Sequence, residues 1–599
     1  MPTTPRAPGW IARWLAWAAT ARSRRWILAL AVLLAAPCLN VGFAADDHML
    51  RVRAGDGPRF DGFAPTRWDL FSFIDGSASQ HARLVESGTL AWWAAPDYRL
   101  GFLRPLSSIT HAADFALAPD LPLLMYAHSL VWLVMLLTAA DAVLRRFLPR
   151  NVAALALLLY ALDDARGPAV GYIANRNALL MACAGFVVIW AHDRWRRDGW
   201  SAGRFVAPLV FAIGLLTGEG TIATLAYLVA HALLVDRGRV RARVLALAPY
   251  AIVFVAYAIV YKSLHYGTHG SGIYVDPGDA PVAFAGVAPM RMMVLLAGQW
   301  LGPWSDLWLG WPEALVPFVG AFVLLVVVWF VVLVRARLGG DPIARMWLVG
   351  AVLACVPIAG TFPADRLLGY VGLGSMALIA MMLAGDRPHA AWLRASLAVL
   401  VFVHLIAAPL LLPIRARSME TVRHSLELFD RAVPSDATIR ERHVIVALAP
   451  NDGTVSYLPV TRAAERMPGP KSVRLLASTT APILYTRLDT RTLLVEAERG
   501  LLSTVGERMV RSLDLPFTVG EQIELGHEDR VALATIEAIT IDGRPQRIRF
   551  DFTHALEDPR YLWLAWDTLG FTQWQPPAIG ESITLPGFDV AKTMTAALE

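Results

Sequence analysis

Charged residues are scarce in this chain. They make up 17% of its 599 residues, whereas hydrophobic residues make up 56%. A soluble domain has about 25% charged and about 45–50% apolar residues. The excess is uneven, because apolar runs crowd residues 26–413 while the last third has a soluble character. The composition therefore excludes a wholly soluble protein and indicates a membrane region followed by a soluble one.

Cysteine and lysine are also rare, and a glycine-rich nucleotide loop is absent. The three cysteines fall inside apolar runs, without CxxC or Cys/His spacing: Cys38, Cys183 and Cys355. This excludes a disulfide framework and a zinc motif. Lysine occurs only three times, so arginine carries the net charge of +5. The arginines lie in short loops between apolar runs, where they set membrane topology, and we therefore reject nucleic acid as a partner.

A membrane span needs roughly 20 apolar residues. We predict about eleven spans, at 26–44, 123–143, 151–162, 177–191, 204–217, 220–235, 244–262, 315–334, 346–360, 367–384 and 392–413. The first run follows three arginines and resembles a signal peptide. Since no clear cleavage site follows it, we interpret it as a retained span.

Every second short loop is rich in arginine, as the positive-inside rule requires. The loops 145–150, 194–197 and 237–243 are examples. This pattern places the N-terminus in the cytoplasm and puts both the loop 45–122 and the C-terminal domain outside. The expected location is a bacterial inner membrane, with the C-terminal domain in the periplasm. Residues 284–303 would disturb this scheme if they spanned, so we expect a re-entrant or interfacial helix there.

The tail changes character at about residue 418. Short runs with strand patterns appear, and residues 531–541 alternate between apolar and polar. Asp542-Gly543 then supplies a hairpin turn. We predict a transmembrane domain at 1–417 and a mainly-β extracytoplasmic domain at 418–599, built as a β-sandwich or barrel.

Two adjacent carboxylates, Asp46 and Asp47, follow the first predicted span. They could form a solvated helix end. A carboxylate at the level of the lipid headgroups could instead take a proton from an acceptor hydroxyl as a general base. The pair could also hold a divalent cation beside a phosphate. No cofactor is otherwise indicated.

The loop 45–122 is rich in aromatic residues, so we expect it to be ordered. Near its end, Pro105 suits the first turn of a helix, and Arg104 would face an anion at that N-terminus. His111 lies farther along the same segment. An ordinary interfacial helix is the alternative.

Further polar residues lie beside later spans, where they are costly unless they face a cavity or each other. Arg166 could pair with Asp163 or Asp164. The remaining candidates for contacts with a phosphate or substrate are Arg176, Glu219 and Arg366. All of these positions fall on the predicted outer side.

Together these residues resemble the GT-C superfamily of membrane glycosyltransferases, and in particular the bacterial relatives of the transmembrane and tetratricopeptide-containing O-mannosyltransferases. The similar motifs are the acidic pair Asp46 and Asp47, the Arg-Pro-Leu at 104–106, the Tyr-Ile-Ala-Asn-Arg at 172–176, the Leu-Leu-Thr-Gly-Glu at 215–219, and Arg366 with Tyr370. The resemblance covers roughly residues 40–380.

The chain departs from this family at several places. Asp163, Asp164, Arg166 and Pro168 stand where histidines and a glutamate are common, and Gly218 replaces a lysine. Tetratricopeptide repeats are absent. The acceptor could therefore differ, and activity could have been lost.

The resemblance implies a polyprenyl-phosphate sugar donor and a lipid, glycan or protein acceptor outside the membrane, with transfer by inversion. Asp46 or Asp47 would be catalytic, and Arg104, Arg176, Glu219, Arg366 and His111 would bind substrate. Two alternatives remain open. The first is a transporter or flippase of a lipid-linked sugar, although internal repeats are absent. The second is a non-catalytic scaffold with a periplasmic binding domain.

Overall fold

The computed structural model describes residues 20–55, 59–310 and 315–588. Helices dominate to residue 432: α1 (Ala21–Ala35), α2 (Asp46–Arg53), α3 (Ala78–Ser87), α4 (Pro105–Leu117), α5 (Pro122–Phe147), α6 (Arg150–Ala161), α7 (Arg166–Val170), α8 (Arg176–Asp198), α9 (Gly203–Thr217), α10 (Thr224–Leu234), α11 (Val240–Ser263), α12 (Pro281–Trp300), α13 (Val316–Leu338), α14 (Pro342–Ile358), α15 (Gly369–Ala384), α16 (Ala391–Phe402), α17 (Ala408–Arg415) and α18 (Ser418–Ala432).

Among the described residues, seven helical segments are long and apolar enough to cross a membrane, and five further apolar helices are shorter. Large apolar side chains cover their outer surfaces; Phe318 is 74% and Leu325 67% exposed. Such a surface is stable only against lipid, since an α-helix satisfies its own backbone hydrogen bonds there. The prediction of a polytopic helical membrane protein is confirmed. The count of about eleven spans stays a prediction.

Helix α12 has the length of a span, yet its two flanks contact the same stretch of chain. Before the helix, the Val275 N–H donates to the Gly360 carbonyl at 2.7 Å. After it, the Ser305 N–H donates to Asp365 at 2.9 Å. A helix that crossed the membrane would place its flanks on opposite sides. These contacts favour the expected re-entrant or interfacial helix at residues 284–303 over a span.

Cysteine labelling in intact cells checks this path. Pro277 and Leu307 are exposed on the two flanks of α12. We expect Pro277→Cys and Leu307→Cys, each in a variant without the three native cysteines, to react equally with an impermeant maleimide. Ser201→Cys, in the arginine-rich loop before α9, should react only after the membrane is permeabilised. Labelling of just one flank would show that α12 spans.

The loop 45–122 is ordered in its described residues, as the aromatic content predicted. It forms α2 to α4 and the strands β1 (Ser72–Asp75) and β2 (Arg99–Gly101). Strand β2 lies at the centre of a three-stranded antiparallel sheet with β3 (Gly267–His269). Trp92 packs edge-to-face on Phe550, 5.8 Å between ring centroids. The loop is therefore packed against the C-terminal part.

Beyond α18 the chain is mainly β, as predicted. It contains β4 (His443–Ala449), α19 (Asp452–Ser456), α20 (Leu458–Ala464), β5 (Ser472–Ser478), β6 (Ile483–Arg487), β7 (Thr492–Ala497), β8 (Gln522–Leu525), β9 (Ala532–Ile539), β10 (Pro545–Phe552), β11 (Tyr561–Asp567), β12 (Gly570–Gln573) and β13 (Ser582–Leu585). The predicted hairpin is present, because β9 and β10 pair antiparallel around Gly543, whose φ is +78°.

The strands form two open sheets rather than a barrel. One has six strands in the order β13-β6-β7-β10-β9-β8, and the other has four in the order β12-β11-β4-β5. They meet where the Tyr485 hydroxyl donates to the Ala447 carbonyl. Strands β4 and β5 are parallel and joined through α19 and α20. The sequence analysis missed this crossover, which carries two helices toward the membrane region.

Candidate active site

Asp46 and Asp47 begin α2 but have different environments. Asp47 is fully buried, and both of its carboxylate oxygens accept backbone N–H groups, from Ala44 at 3.0 Å and Ala174 at 2.8 Å. Asp46 is only half-buried. Because Asp47 is fully buried and both of its oxygens already accept backbone N–H groups, the half-buried Asp46 is the member of the pair that could act as a base on a substrate.

The turn before these carboxylates is strained. Ala45 has a φ of +46°, a region that non-glycine residues rarely adopt. The Ala44 N–H donates a hydrogen bond across this turn to the Asp47 side chain. Burial raises the pKa of Asp47 to about 8. Strain of this kind persists only where surrounding contacts fix it, and it is often found at functional sites.

Two tyrosines bracket Asp46. The Tyr457 hydroxyl donates to its carboxylate, and the Asp46 backbone N–H donates to the Tyr172 hydroxyl at 3.0 Å. Tyr172 lies in the segment before α8, whereas Tyr457 lies between α19 and α20 of the C-terminal part. The site around Asp46 is thus built from both parts of the chain.

Arg104 is held in place by Glu219. The pair is bidentate, and Nε lies 3.0 Å from Oε2. The guanidinium also lies 4.3 Å above the centroid of Phe102. Two residues that the sequence analysis named separately, 115 positions apart, are therefore brought together. Much of the Arg104 charge is neutralised by this partner.

A row of aromatic rings connects Arg104 with Arg366. The ring centroid of Phe102, which lies beneath Arg104, is 6.1 Å from that of Tyr274. The Tyr274 centroid is in turn 6.0 Å from that of Phe362. The Arg366 guanidinium lies 5.1 Å above Phe362. Arg366 is half-buried and has no ion pair among the described residues. Its charge is therefore free for an anion.

Asp46 lies within electrostatic reach of this row. Burial raises the pKa of Tyr274, and the charges of Arg366, Asp46 and Arg104 also act on its hydroxyl. The carboxylate and the arginines therefore share one neighbourhood around Tyr274.

The Arg176 guanidinium is not available to bind a substrate anion. It is fully buried, and its Nη1 lies 2.6 Å from the Asp114 carboxylate. Its Nη2 donates to the Met125 carbonyl at 2.8 Å and its Nε to Ser129 at 3.1 Å. The sequence offered no acidic neighbour for Arg176, but the fold supplies one from α4. We therefore remove Arg176 from the expected ligands.

His111 is also corrected. It is fully buried beside Phe71, and neither ring nitrogen has a hydrogen-bond partner in the described part of the chain. Burial, followed by the charge of Arg176, lowers its pKa well below the usual value. A neutral imidazole in this position packs the loop and contacts no open site.

The expected pairing of Arg166 with its neighbouring carboxylates is wrong. Arg166 donates to the Tyr160 hydroxyl at 3.2 Å. Asp163 instead accepts from Gln299 at 2.8 Å, and Asp164 accepts from Trp304 at 2.9 Å. The two carboxylates hold the end of α12 and the chain that returns from it.

A cavity of about 500 Å³ lies beside this returning chain. Its lining comes from the end of the first span, the segment after α12, and the junction of α17 and α18: Pro37, Trp304, Pro413, Ile414, Arg415, Arg417, Ser418, Glu420 and Thr421. Arg415 is held by Asp365, 2.8 Å away. The cavity is thus connected through Arg415 to Asp365, the residue before Arg366.

No group of three or more His, Cys, Asp or Glu side chains that could hold a metal occurs within residues 20–55, 59–310 and 315–588. The divalent cation considered for Asp46 and Asp47 therefore stays a prediction. The sequence analysis also missed Tyr457 and Tyr274. Both lie outside the motifs, and no local pattern distinguishes them from other tyrosines.

Several solved structures are similar to this chain. One is the archaeal oligosaccharyltransferase AglB from Archaeoglobus fulgidus, in complex with an inhibitory peptide and a dolichol-phosphate. It is 10% identical, with a TM-score of 0.40, and the match covers 76% of this chain and 65% of that chain. Another is ArnT from Cupriavidus metallidurans bound to undecaprenyl phosphate. It is 12% identical, with a TM-score of 0.38, and the match covers 75% of this chain and 89% of that chain.

Both are GT-C membrane glycosyltransferases, the superfamily that the sequence motifs resemble. The chain spans less than two thirds of the archaeal enzyme. No protein-family model and no curated protein matches the sequence. Because the structural likeness is distant, the proposals below rest on the contacts of this chain.

Proposed function

We propose that this protein is a membrane glycosyltransferase that moves a sugar from a polyprenyl-phosphate donor to a hydroxyl acceptor. The observation that carries the proposal is the half-buried aromatic row, on which Arg366 stacks and on whose Tyr274 the charge of Asp46 acts. A carboxylate can accept the acceptor proton, and an arginine can stabilise the departing phosphate.

The polyprenyl chain of the donor would occupy the cavity, and its phosphate would lie beside the aromatic row. A polyprenyl chain is apolar and stays in the bilayer, whereas its phosphate stays at the interface. The cavity beside Trp304 has mostly apolar walls and is connected through Arg415 to Asp365, the residue before Arg366. A lipid phosphate entering there would place its anion beside Arg366, which has no ion pair in the described residues.

The reaction is a single displacement with inversion at the anomeric carbon. The acceptor oxygen forms a bond to that carbon as its proton moves to the Asp46 carboxylate. The bond from the anomeric carbon to the phosphate oxygen breaks, and its electron pair remains on the phosphate. Arg366 takes up most of the new charge, because Arg104 is already paired with Glu219.

The site would face the outside of a bacterial inner membrane, where no nucleotide sugar is present. The acceptor would be a lipid, glycan or protein, and residues 418–599 would form the extracytoplasmic domain beside it. The positive-inside pattern supports this orientation.

The test compares cells with and without the gene. We expect one envelope glycan to lose a sugar in the deletion strain and the corresponding lipid-linked sugar to accumulate, both measured by mass spectrometry. The purified protein in detergent, given lipid-linked sugars and envelope acceptor extracted from the deletion strain, should release polyprenyl phosphate and add the sugar to the acceptor. A transporter would release no polyprenyl phosphate in detergent. A scaffold would release none in detergent, and its deletion would not make the lipid-linked sugar accumulate.

A further inference from the structure

The turn between α19 and α20 lies directly over Asp46. It follows β4 and leads toward β5 through the parallel crossover of the four-stranded sheet. The Tyr457 hydroxyl donates to Asp46 Oδ1, so a residue of the C-terminal part touches the candidate base. We propose that Tyr457 is a positioning residue that orients Asp46, which makes the crossover helices a working part of the transfer site. This inference rests on the proposed function.

The Tyr457 hydroxyl can act only as a donor toward Asp46. Burial, followed by the charge of Asp46, raises the pKa of Tyr457 well above its ordinary value. The phenol therefore stays protonated throughout the physiological range. One carboxylate oxygen is fixed by this bond, and the backbone of Asp46 is fixed by Tyr172. The second oxygen is then left in a defined direction, which is what a general base requires.

The element that presents Tyr457 is rigid. Arg462, one turn farther along α20, is 1% exposed. Its guanidinium donates to Asp430 at 2.7 Å and to the carbonyls of Val433 and Pro468 at 2.7 and 2.8 Å. These bonds tie α20 to α18 and to the loop before β5. A side chain on such a support holds its partner to a narrow set of positions.

The same crossover also contacts α2, the helix that begins at Asp46. Glu465, just after α20, lies 2.8 Å from Arg51 of α2. It also lies 3.7 Å from His48, but burial lowers the pKa of His48 to about 4, so this imidazole is neutral. The C-terminal part is therefore attached to α2 by an ion pair and to Asp46 by a hydrogen bond. A change in the position of the C-terminal part would therefore change the geometry of the Asp46 carboxylate.

Tyr457→Phe removes only the hydroxyl. A hydrogen bond to a charged group contributes about 1.5–3 kcal/mol, so we expect kcat to fall about 10- to 100-fold. The KM for the lipid-linked donor should be unchanged, because Tyr457 does not line the cavity assigned to the lipid. Turnover is measured as release of polyprenyl phosphate from extracted lipid-linked sugars in the presence of the extracted envelope acceptor.

Tyr485→Phe is the matched control. Tyr485 is fully buried, whereas Tyr457 is half-buried. The Tyr485 hydroxyl donates to a carbonyl between the two sheets, so its loss perturbs the C-terminal part without touching Asp46. We expect Tyr485→Phe to keep its kcat and its KM. Equal losses in the two variants, or a wild-type kcat for Tyr457→Phe, would overturn the inference.

A third variant separates this inference from the function itself. If Asp46→Asn is inactive while Tyr457→Phe is fully active, Tyr457 has no positioning role and the glycosyltransferase proposal stands. If Asp46→Asn is fully active, the proposed mechanism fails, and the role of Tyr457 fails with it.

Discussion

Asp46→Asn is expected to lower sugar transfer by about 10²–10⁴-fold, the usual contribution of a general base. The amide keeps the size of the carboxylate and can still accept from Tyr457, but it cannot accept the proton of the acceptor hydroxyl. Membrane insertion and yield should be unchanged, because Asp46 is half-buried and its backbone contact with Tyr172 remains. The measurement is product formation by the purified variant.

Two controls sharpen this result. Asp61→Asn removes an exposed carboxylate from the same loop and should leave transfer intact. Each Asp47 side-chain oxygen accepts a backbone N–H group, and Asp47→Asn replaces one of these oxygens by an amide NH₂, which cannot accept. This variant should therefore lower thermal stability as well as activity. Full transfer by Asp46→Asn, or a loss of transfer only through misfolding, would reject Asp46 as the base.

Arg366→Gln is expected to weaken the binding of undecaprenyl phosphate about 10- to 100-fold. The glutamine loses the charge, and charge-assisted hydrogen bonds contribute about 1.5–3 kcal/mol. Stability should hardly change, since Arg366 has no ion pair among the described residues to lose. Titration of the purified protein with undecaprenyl phosphate, followed by native mass spectrometry, gives the affinity.

Arg176→Gln is the contrasting variant. It leaves the Asp114 carboxylate, 13% exposed, with His128 at 2.9 Å but without its arginine partner, and breaking a buried ion pair costs about 3–5 kcal/mol. We expect a large fall in the unfolding temperature in detergent, with near-normal lipid-phosphate affinity for the folded fraction. If Arg176→Gln lost affinity without losing stability, while Arg366→Gln bound normally, the two assignments would have to be exchanged.

The candidate residues show where sequence reasoning was limited. Asp46 and Arg366 could be proposed from the sequence because each stands next to an apolar run, a position visible in composition, and both stay predictions. Arg176 was misjudged because its acidic partner, Asp114, lies 62 residues away and is absent from any local window. His111 was retained because nothing in the sequence distinguishes a buried histidine from one that contacts a ligand.

The sequence alone determined the membrane architecture, the ordered aromatic loop and the β-rich tail. These follow from the length and period of apolar runs, which act locally along the chain. Strands β4 and β5 are buried at every position and lack a regular alternation of apolar and polar residues, and nothing in either run indicates that the two pair in parallel. Only the tertiary structure decided which carboxylate is free, which arginine is paired and that Tyr457 reaches Asp46. Those outcomes depend on contacts between residues up to 411 positions apart, and no local pattern encodes them.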